Sequence, residues 1–197
     1  MILFYDTETT GLPLWREPSE HPDQPHIVQL AALLCLDGVE IASLNAIVRP
    51  DGWTIPAETT AIHGISQERA LVEGISEHQA LAIFMCMVQF AERRVAHNES
   101  FDARIIRIAL HRYRFSQAEE WEAGPPAYCT MRASQDLCKL APTAAMAASG
   151  RLWNKPPKLG EAYQHFFGED LSGAHDALVD VVACKRIYLE LERRAEG

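Results

Sequence analysis

Two carboxylates stand two residues apart near the start of the chain, Asp6 and Glu8 in Phe4-Tyr5-Asp6-Thr7-Glu8-Thr9-Thr10-Gly11. A third, Asp102, closes His97-Asn98-Glu99-Ser100-Phe101-Asp102. A fourth, Asp180, follows His175 in Ala174-His175-Asp176-Ala177-Leu178-Val179-Asp180. Each acid falls where the local pattern calls for an apolar side chain. Buried carboxylates are costly unless a cation or hydrogen-bond donors answer them, and clustered oxygens are the ligands that hard divalent ions such as Mg²⁺ and Mn²⁺ prefer. A histidine, whose ordinary pKa is about 6.5, is suited to taking a proton from water near neutral pH. The chemistry this suggests is metal-assisted hydrolysis of a phosphodiester.

The elements that must position these groups are legible in outline. Residues 1–6 form a buried strand, and side chains two apart on a strand share a face, about 6.5–7 Å from each other. Asp6 and Glu8 thus continue the face of Ile2 and Phe4; taken alone, they would also fit a turn cap and a solvated acid. His26 to Leu36, between Pro25 and Asp37-Gly38, is a second strand, and Val39 to Val48 pairs back on it as a hairpin. Ser76 to Arg94 is expected to be a helix, with Ser76 as N-cap and Gln79 completing a capping box. Val95-Ala96 is a short buried strand, after which Ser100 caps a helix to about Tyr113. Asp102 sits in the first turn of that helix, where the helix dipole alone would favour an acid. Residues 116–127, with three glutamates and Gly124-Pro125-Pro126, are expected to be a surface loop. Residues 141–158 cannot be regular helix throughout, given Pro156-Pro157. The last helix buries Ala177, Val181, Cys184, Tyr188 and Leu191, with Ile187 beside them. Asp180 lies on the inner edge of that stripe and needs either a metal or an ion-pair partner. His175 precedes the helix on a loop.

Composition narrows the class. With 197 residues and 48% hydrophobic content, the chain can build one well-packed α/β domain spanning residues 1–197. No apolar run approaches the ~18–20 residues of a membrane span, and no signal-peptide pattern opens the chain, so a cytoplasmic location is expected. The five cysteines include no C-x-x-C pair, which argues against a zinc ribbon or a disulfide framework. A net charge of −9 is unusual for a nucleic-acid binder. Two stretches are nonetheless basic and free of acids: residues 103–114, with Arg104, Arg107, Arg112 and Arg114, and residues 137–160, with Lys139, Arg151, Lys155 and Lys158. These suit a grip on one strand end, or a solvated basic face.

Taken together, these segments resemble the DEDDh 3′→5′ exonuclease family, which includes the proofreading subunit of bacterial replicative polymerases. The matching segments are D-x-E-T-T-G-L from Asp6 to Leu12, H-N-x-x-F-D at His97, Asn98, Phe101 and Asp102, and H-D-A-x-x-D at His175, Asp176, Ala177 and Asp180. Ala61-Ile62-His63-Gly64-Ile65 and Cys129-Thr130-Met131 match in order between them. The resemblance implies a ribonuclease-H-like fold, a mixed five-stranded sheet flanked by helices. It also implies two divalent ions, Mg²⁺ with Mn²⁺ able to substitute. Asp6, Glu8 and Asp180 would hold one ion, Asp6 and Asp102 the other, and His175 would be the general base. The implied partner is a nucleic-acid 3′ end, DNA before RNA. Backbone amides near Thr9 and Thr10 would hold the terminal hydroxyl, Leu12 would wedge against the terminal base, and His63, Asn98 and Phe101 would shape the nucleotide pocket.

Other readings stay open at this level: an exoribonuclease, a phosphoesterase for small nucleotides, and a silent binding module. Trp15, on the loop 13–25, is either a base-stacking residue or a hydrophobe folded under that loop. Residues 151–158 are candidates for phosphate contacts. A chain ending at Gly197, without a long tail, suggests a free-standing enzyme rather than a polymerase-tethered one.

Overall fold

A computed structural model describes residues 1–195; the expected chain end at Gly197 lies outside the described residues. The centre is a five-stranded sheet in the order β3-β2-β1-β4-β5. Its strands are β1 (Ile2–Thr9), β2 (Ile27–Leu36), β3 (Val39–Ile47), β4 (Arg93–Ala96) and β5 (Ala127–Cys129). The first three are antiparallel, whereas β4 runs parallel to β1 and β5 parallel to β4. This is the mixed sheet of the ribonuclease-H-like fold.

Strand β2 is buried from Ile27 to Cys35. A central strand covered on both faces reads as a continuous apolar run, which is why its period is ambiguous in the sequence. Asp37 (φ 51°) and Gly38 (φ 80°) make the tight turn into β3. An Asp-Gly pair tolerates the positive φ that such a hairpin turn requires.

The two sheet faces carry different layers. Leu3 and Tyr5 pack with Leu81 and Phe84 of α3 (Glu77–Val88) and with Ile105 and Ile106 of α4 (Glu99–Arg112). Phe4 packs on the opposite face against Val181, Cys184 and Tyr188 of α9 (Ala177–Ala195). Alternation along β1 therefore sends Asp6 toward α9, and sends Thr7 toward α4. Strands β1 and β4 are adjacent and parallel while the helices beside them lie on opposite faces. In open α/β sheets, ligands bind outside the carboxyl ends of such strands.

Three expected boundaries change. The helix from Ser76 has the capping box (Gln79 N–H to Ser76 Oγ 3.2 Å, Ser76 N–H to Gln79 Oε1 3.1 Å) but ends at Val88. Arg93 and Arg94 instead pair beside Ile2 and Leu3 in β4, where the Arg94 guanidinium lies 4.2 Å from the Trp121 ring centre. The helix expected from Ser100 starts at Glu99 behind Asn98, which adopts a left-handed conformation (φ 71°) and makes no side-chain cap bond. Residues 116–127, expected to be loop, contain α5 (Ala118–Ala123), because Trp121 is 1% exposed and donates from Nε1 to the Ala103 carbonyl at 3.2 Å. Burying one indole outweighs the local loop composition. Residues 141–158 are irregular apart from α7 (Ala144–Ala148). No helix among the described residues is long and apolar enough to cross a membrane.

Glu77 ties these layers together. Its carboxylate, 1% exposed, accepts from the Ile27 amide at 2.9 Å, the Tyr113 hydroxyl at 3.0 Å and Arg112 Nη1 at 3.4 Å, and lies 3.0 Å from His26 Nδ1. Breaking a buried ion pair strands the remaining charge, at a cost of about 3–5 kcal/mol. Urea unfolding of Glu77→Ala is expected to show a loss of that size, and Glu77→Gln a smaller one; an alanine variant within about 1 kcal/mol of the parent would contradict this role.

Candidate active site

Asp6 and Glu8 end β1 on its α9 face, and Asp180 approaches from the first turn of α9. One ligand atom each of Glu8, His175 and Asp180 lies within 4.8 Å of the others. Asp6, Leu12, Asn98, Phe101 and Asp102 line the same cleft, of ≈ 310 Å³, as do Thr7, His97 and Leu159. Residues from four separate parts of the chain thus meet at one strand end.

Each acid is held differently. Asp102 comes from α4 on the other face of the sheet, and its Oδ1 accepts from both the amide (3.0 Å) and the hydroxyl (2.8 Å) of Thr7. Asp180 Oδ2 accepts from the His175 amide at 3.1 Å, while its Oδ1 is buried with no hydrogen-bond partner. Burial and the neighbouring charges of Asp102, Asp180 and Glu8 push Asp6 well above the usual carboxylate range. The same causes, burial first and then Asp180, raise Glu8 to about 8. Burial raises Asp102 to about 7 against the opposing pull of the Thr7 donors. Burial also raises Asp180, against the His175 amide.

An orphaned carboxylate oxygen among mutually repelling acids is what a divalent cation answers, with oxygen ligands on the cation side and neutralised charge on the protein side. The residues present therefore fit the metal ions that the sequence suggested. Asp6, Glu8, Asp102 and Asp180 are the groups able to hold them.

Other residues fix the walls of the cleft. His175 is exposed and takes a left-handed backbone (φ 70°), which frees its ring while its amide stays on Asp180. Asp176 Oδ1 accepts from the Leu178 amide (3.0 Å), and Gln29 Oε1 from the Ala177 amide (3.1 Å), fixing the start of α9. His97 sits between Thr130 Oγ1 (2.9 Å from Nδ1) and the Pro157 carbonyl (3.0 Å from Nε2), and burial lowers its pKa to about 4. A carbonyl only accepts, so Nε2 carries the proton and Nδ1 accepts from the threonine hydroxyl. His97 is a neutral strut that docks residues 154–158 on the cleft.

Several expected contacts are rearranged. The Thr10 amide donates to the His26 carbonyl at 3.0 Å, so it is not free to hold a terminal hydroxyl; the Thr9 hydroxyl donates to the Gly11 carbonyl at 2.8 Å. Neither threonine is among the groups lining the cleft. His63 is buried and is not among the residues lining the cleft. Its Nδ1 accepts from the Ile65 amide at 3.1 Å, its Nε2 has no partner, and burial together with His175 lowers its pKa. Lys155, a candidate phosphate contact, is engaged by Glu161 at 2.5 Å and 2.7 Å. Two positioning residues went unnoticed in the sequence. Gln29, a polar side chain inside a buried strand, was a usable signal; Thr7, between two acids, gave none.

The sequence model of the RNase_T exonuclease family matches residues 3–188. The chain belongs to this exonuclease family. It is 34% identical over 106 residues to an uncharacterized exonuclease, CP81, of Escherichia phage 186, a match covering 53% of this chain and 46% of that protein. It is 35% identical over 111 residues to a DNA polymerase III subunit epsilon-like protein of Rhodobacter capsulatus, covering 54% of this chain and 14% of that one. Among solved structures, exonuclease I of E. coli in complex with a dA16 oligonucleotide superposes with a TM-score of 0.75 at 20% identity, covering 99% of this chain and 41% of that one. The zinc-bound form of its complex with single-stranded DNA gives 0.74 at 18% identity, covering 99% and 41%. These superpositions show a shared fold, and the matches cover less than half the length of each relative.

The raised acids give the metal-free exonuclease a defined pH response. A carboxyl whose folded pKa lies above its unfolded value stabilises nothing when ionised: stability is greatest below the unfolded value of 4.5 and is lost as pH rises toward about 8 for Glu8. In EDTA, the melting temperature is expected to fall between pH 5 and pH 8, less steeply in Glu8→Gln, and Mg²⁺ should restore it most at the alkaline end. Equal slopes in the parent and Glu8→Gln would contradict this electrostatic account.

Proposed function

We propose that residues 1–197 form one exonuclease domain that removes nucleoside 5′-monophosphates from DNA 3′ ends in a metal-dependent reaction. The observation carrying this reading is the unpartnered, buried Asp180 Oδ1 beside Glu8 and His175, within a set of acids that raise one another's pKa. Divalent ions bound there would stabilise both the attacking and the leaving oxygen of an in-line displacement at phosphorus. Asp6, Glu8 and Asp180 would hold one ion, Asp6 and Asp102 the other.

The remaining work falls to this chain's own residues. The exposed His175 ring takes the proton of the attacking water at an imidazole nitrogen, while its amide remains on Asp180 Oδ2. The new bond joins the water oxygen to phosphorus, and the bond to the 3′ oxygen of the preceding nucleotide breaks. That oxygen takes a proton from solvent, and the terminal nucleotide leaves with its 5′ phosphate. Leu12, 77% exposed at the cleft rim, and Phe101 offer apolar surface to the terminal base. The single-stranded DNA complexes of exonuclease I and the likeness to a DNA polymerase III subunit epsilon-like protein favour DNA as the polymer. Unstacking a frayed or single-stranded end is cheap, which favours such ends.

The test is digestion of 5′-labelled single-stranded DNA and RNA of the same sequence with Mg²⁺, Mn²⁺ or EDTA. A metal-dependent ladder shortening from the 3′ end, faster on DNA, is expected, and His175→Ala should lower the rate by about 10²–10⁴. Absence of cleavage with either ion, or a wild-type rate in His175→Ala, would contradict the proposal.

A further inference from the structure

The connection between β1 and β2 is a built loop rather than a slack one. Gln24, 2% exposed, accepts from the Leu14 amide at 3.0 Å and donates to the carbonyls of Leu14 (3.1 Å) and Pro18 (2.9 Å). Arg104 of α4 reaches across to the Glu17 carbonyl (2.6 Å) and Ser19 Oγ (2.9 Å), and Arg112 Nη2 holds the Gln24 and Pro25 carbonyls at 2.8 and 2.9 Å. These bonds fix the loop against α4 and leave the Trp15 indole 58% exposed. Of the two readings open in the sequence, the hydrophobe folded under the loop is therefore not the one adopted.

Trp15 forms the wall of a crevice of ≈ 370 Å³ whose other side carries Arg94, Arg104 and Arg107. Arg94 is answered by Glu99 at 3.0 Å and Arg107 by Glu122 at 3.1 Å. Among the described residues, no carboxylate lies within ion-pair distance of Arg104, whose Nε is buried without a hydrogen-bond partner, whereas Arg107 Nε is the atom that faces Glu122. Burial first, and then the adjacent Arg107 guanidinium, pull Arg104 below its ordinary pKa, against the opposing charges of Glu20 and Glu122. An indole face beside Arg104, a guanidinium without a carboxylate partner, and the neighbouring Arg107 matches a nucleotide, which offers a π-face for stacking and a phosphate for charge.

The crevice adjoins the candidate active site. Phe101 and Asp102 of α4 line the cleft, while Ser100 and Ala103 line the crevice; Leu12, three residues before Trp15, stands on the cleft rim. We propose that the Trp15–Arg104–Arg107 crevice is a second nucleic-acid subsite, in which an unstacked base lies on Trp15 and its phosphodiester meets the two arginines, outside the nucleotide being removed. This rests on the nucleic-acid reading above. The occupant is either a nucleotide further along the digested strand or the end of its complement, which Leu12 would divide from the nucleotide in the cleft.

Fluorescence anisotropy in Mg²⁺, using labelled oligothymidylate of about 12 nucleotides and a duplex of about that length, both phosphorothioate-linked to resist cleavage, tests the subsite. Trp15→Ala should weaken binding about 5- to 150-fold, the range expected from loss of one base–aromatic stack, with Trp15→Phe recovering most of it. Arg107→Gln should lower the slope of log affinity against log salt by about one. A Trp15→Ala defect on the single strand assigns the digested strand; a defect confined to the duplex assigns the complement. Wild-type affinity of Trp15→Ala for both ligands would overturn the subsite alone, whereas failure of the wild-type protein to bind either would overturn the nucleic-acid reading beneath it.

Discussion

Four acids converge at the carboxyl ends of two parallel strands, and their mutual repulsion is the constraint around which the fold is arranged. Asp6 and Glu8 leave β1 on one face, Asp180 descends from α9 onto that face, and Asp102 reaches the same point from α4 on the other. Each is partly removed from water, and burial is the largest cause of every raised pKa among them. Neutral donors relieve some of this: Thr7 gives two hydrogen bonds to Asp102, and the His175 amide gives one to Asp180. They do not reach Asp180 Oδ1. A folded state that keeps such a cluster at neutral pH is less stable without a cation than with one, because a ligand bound only by the folded form stabilises it by mass action.

The scaffold supplies rigidity where that cluster needs it. Tyr5, buried on the face opposite Asp6, donates to Glu99 at 3.0 Å, and Arg94 donates to the same oxygen at 3.0 Å, so β1, β4 and the start of α4 share one buried link. Gln29 carries the restraint to α9 through the Ala177 amide and to β3 through Asn45 Oδ1 at 2.9 Å. His97 docks residues 154–158 through Pro157. The acids proposed to hold metal thus rest on strands and helix starts, whereas His175, the proposed general base, sits on a loop and is exposed.

Much of this was legible in the residues. The apolar period of Ala177, Val181, Cys184 and Tyr188 identified α9 and exposed Asp180 as an acid in an apolar stripe; spacing alone placed Asp6 and Glu8 on one face. What local pattern could not show was long-range pairing. Arg93 and Arg94 read as the end of a helix because their partners, Ile2 and Leu3 along the strand and Trp121 beside it, are far away in sequence. Helix α5 was hidden because its order comes from burying Trp121 rather than from Glu119, Glu120 or Glu122. The basic run of α4 looked like a solvated face. Arg104 and Arg112 instead hold the loop 13–25, and it is this use of arginine as a strut that brings Trp15 to the surface beside the cleft.

Calorimetric titration of the metal-free protein with Mn²⁺, repeated in buffers of different ionisation enthalpy near pH 7, asks whether the acid cluster is a metal site. Saturable binding that releases protons is expected, because Glu8 and Asp102, raised to about 8 and about 7, must give them up to bind the metal. Asp180→Asn should remove at least one binding event. Absence of binding by the parent protein, or binding that neither releases protons nor responds to Asp180→Asn, would contradict a metal site there.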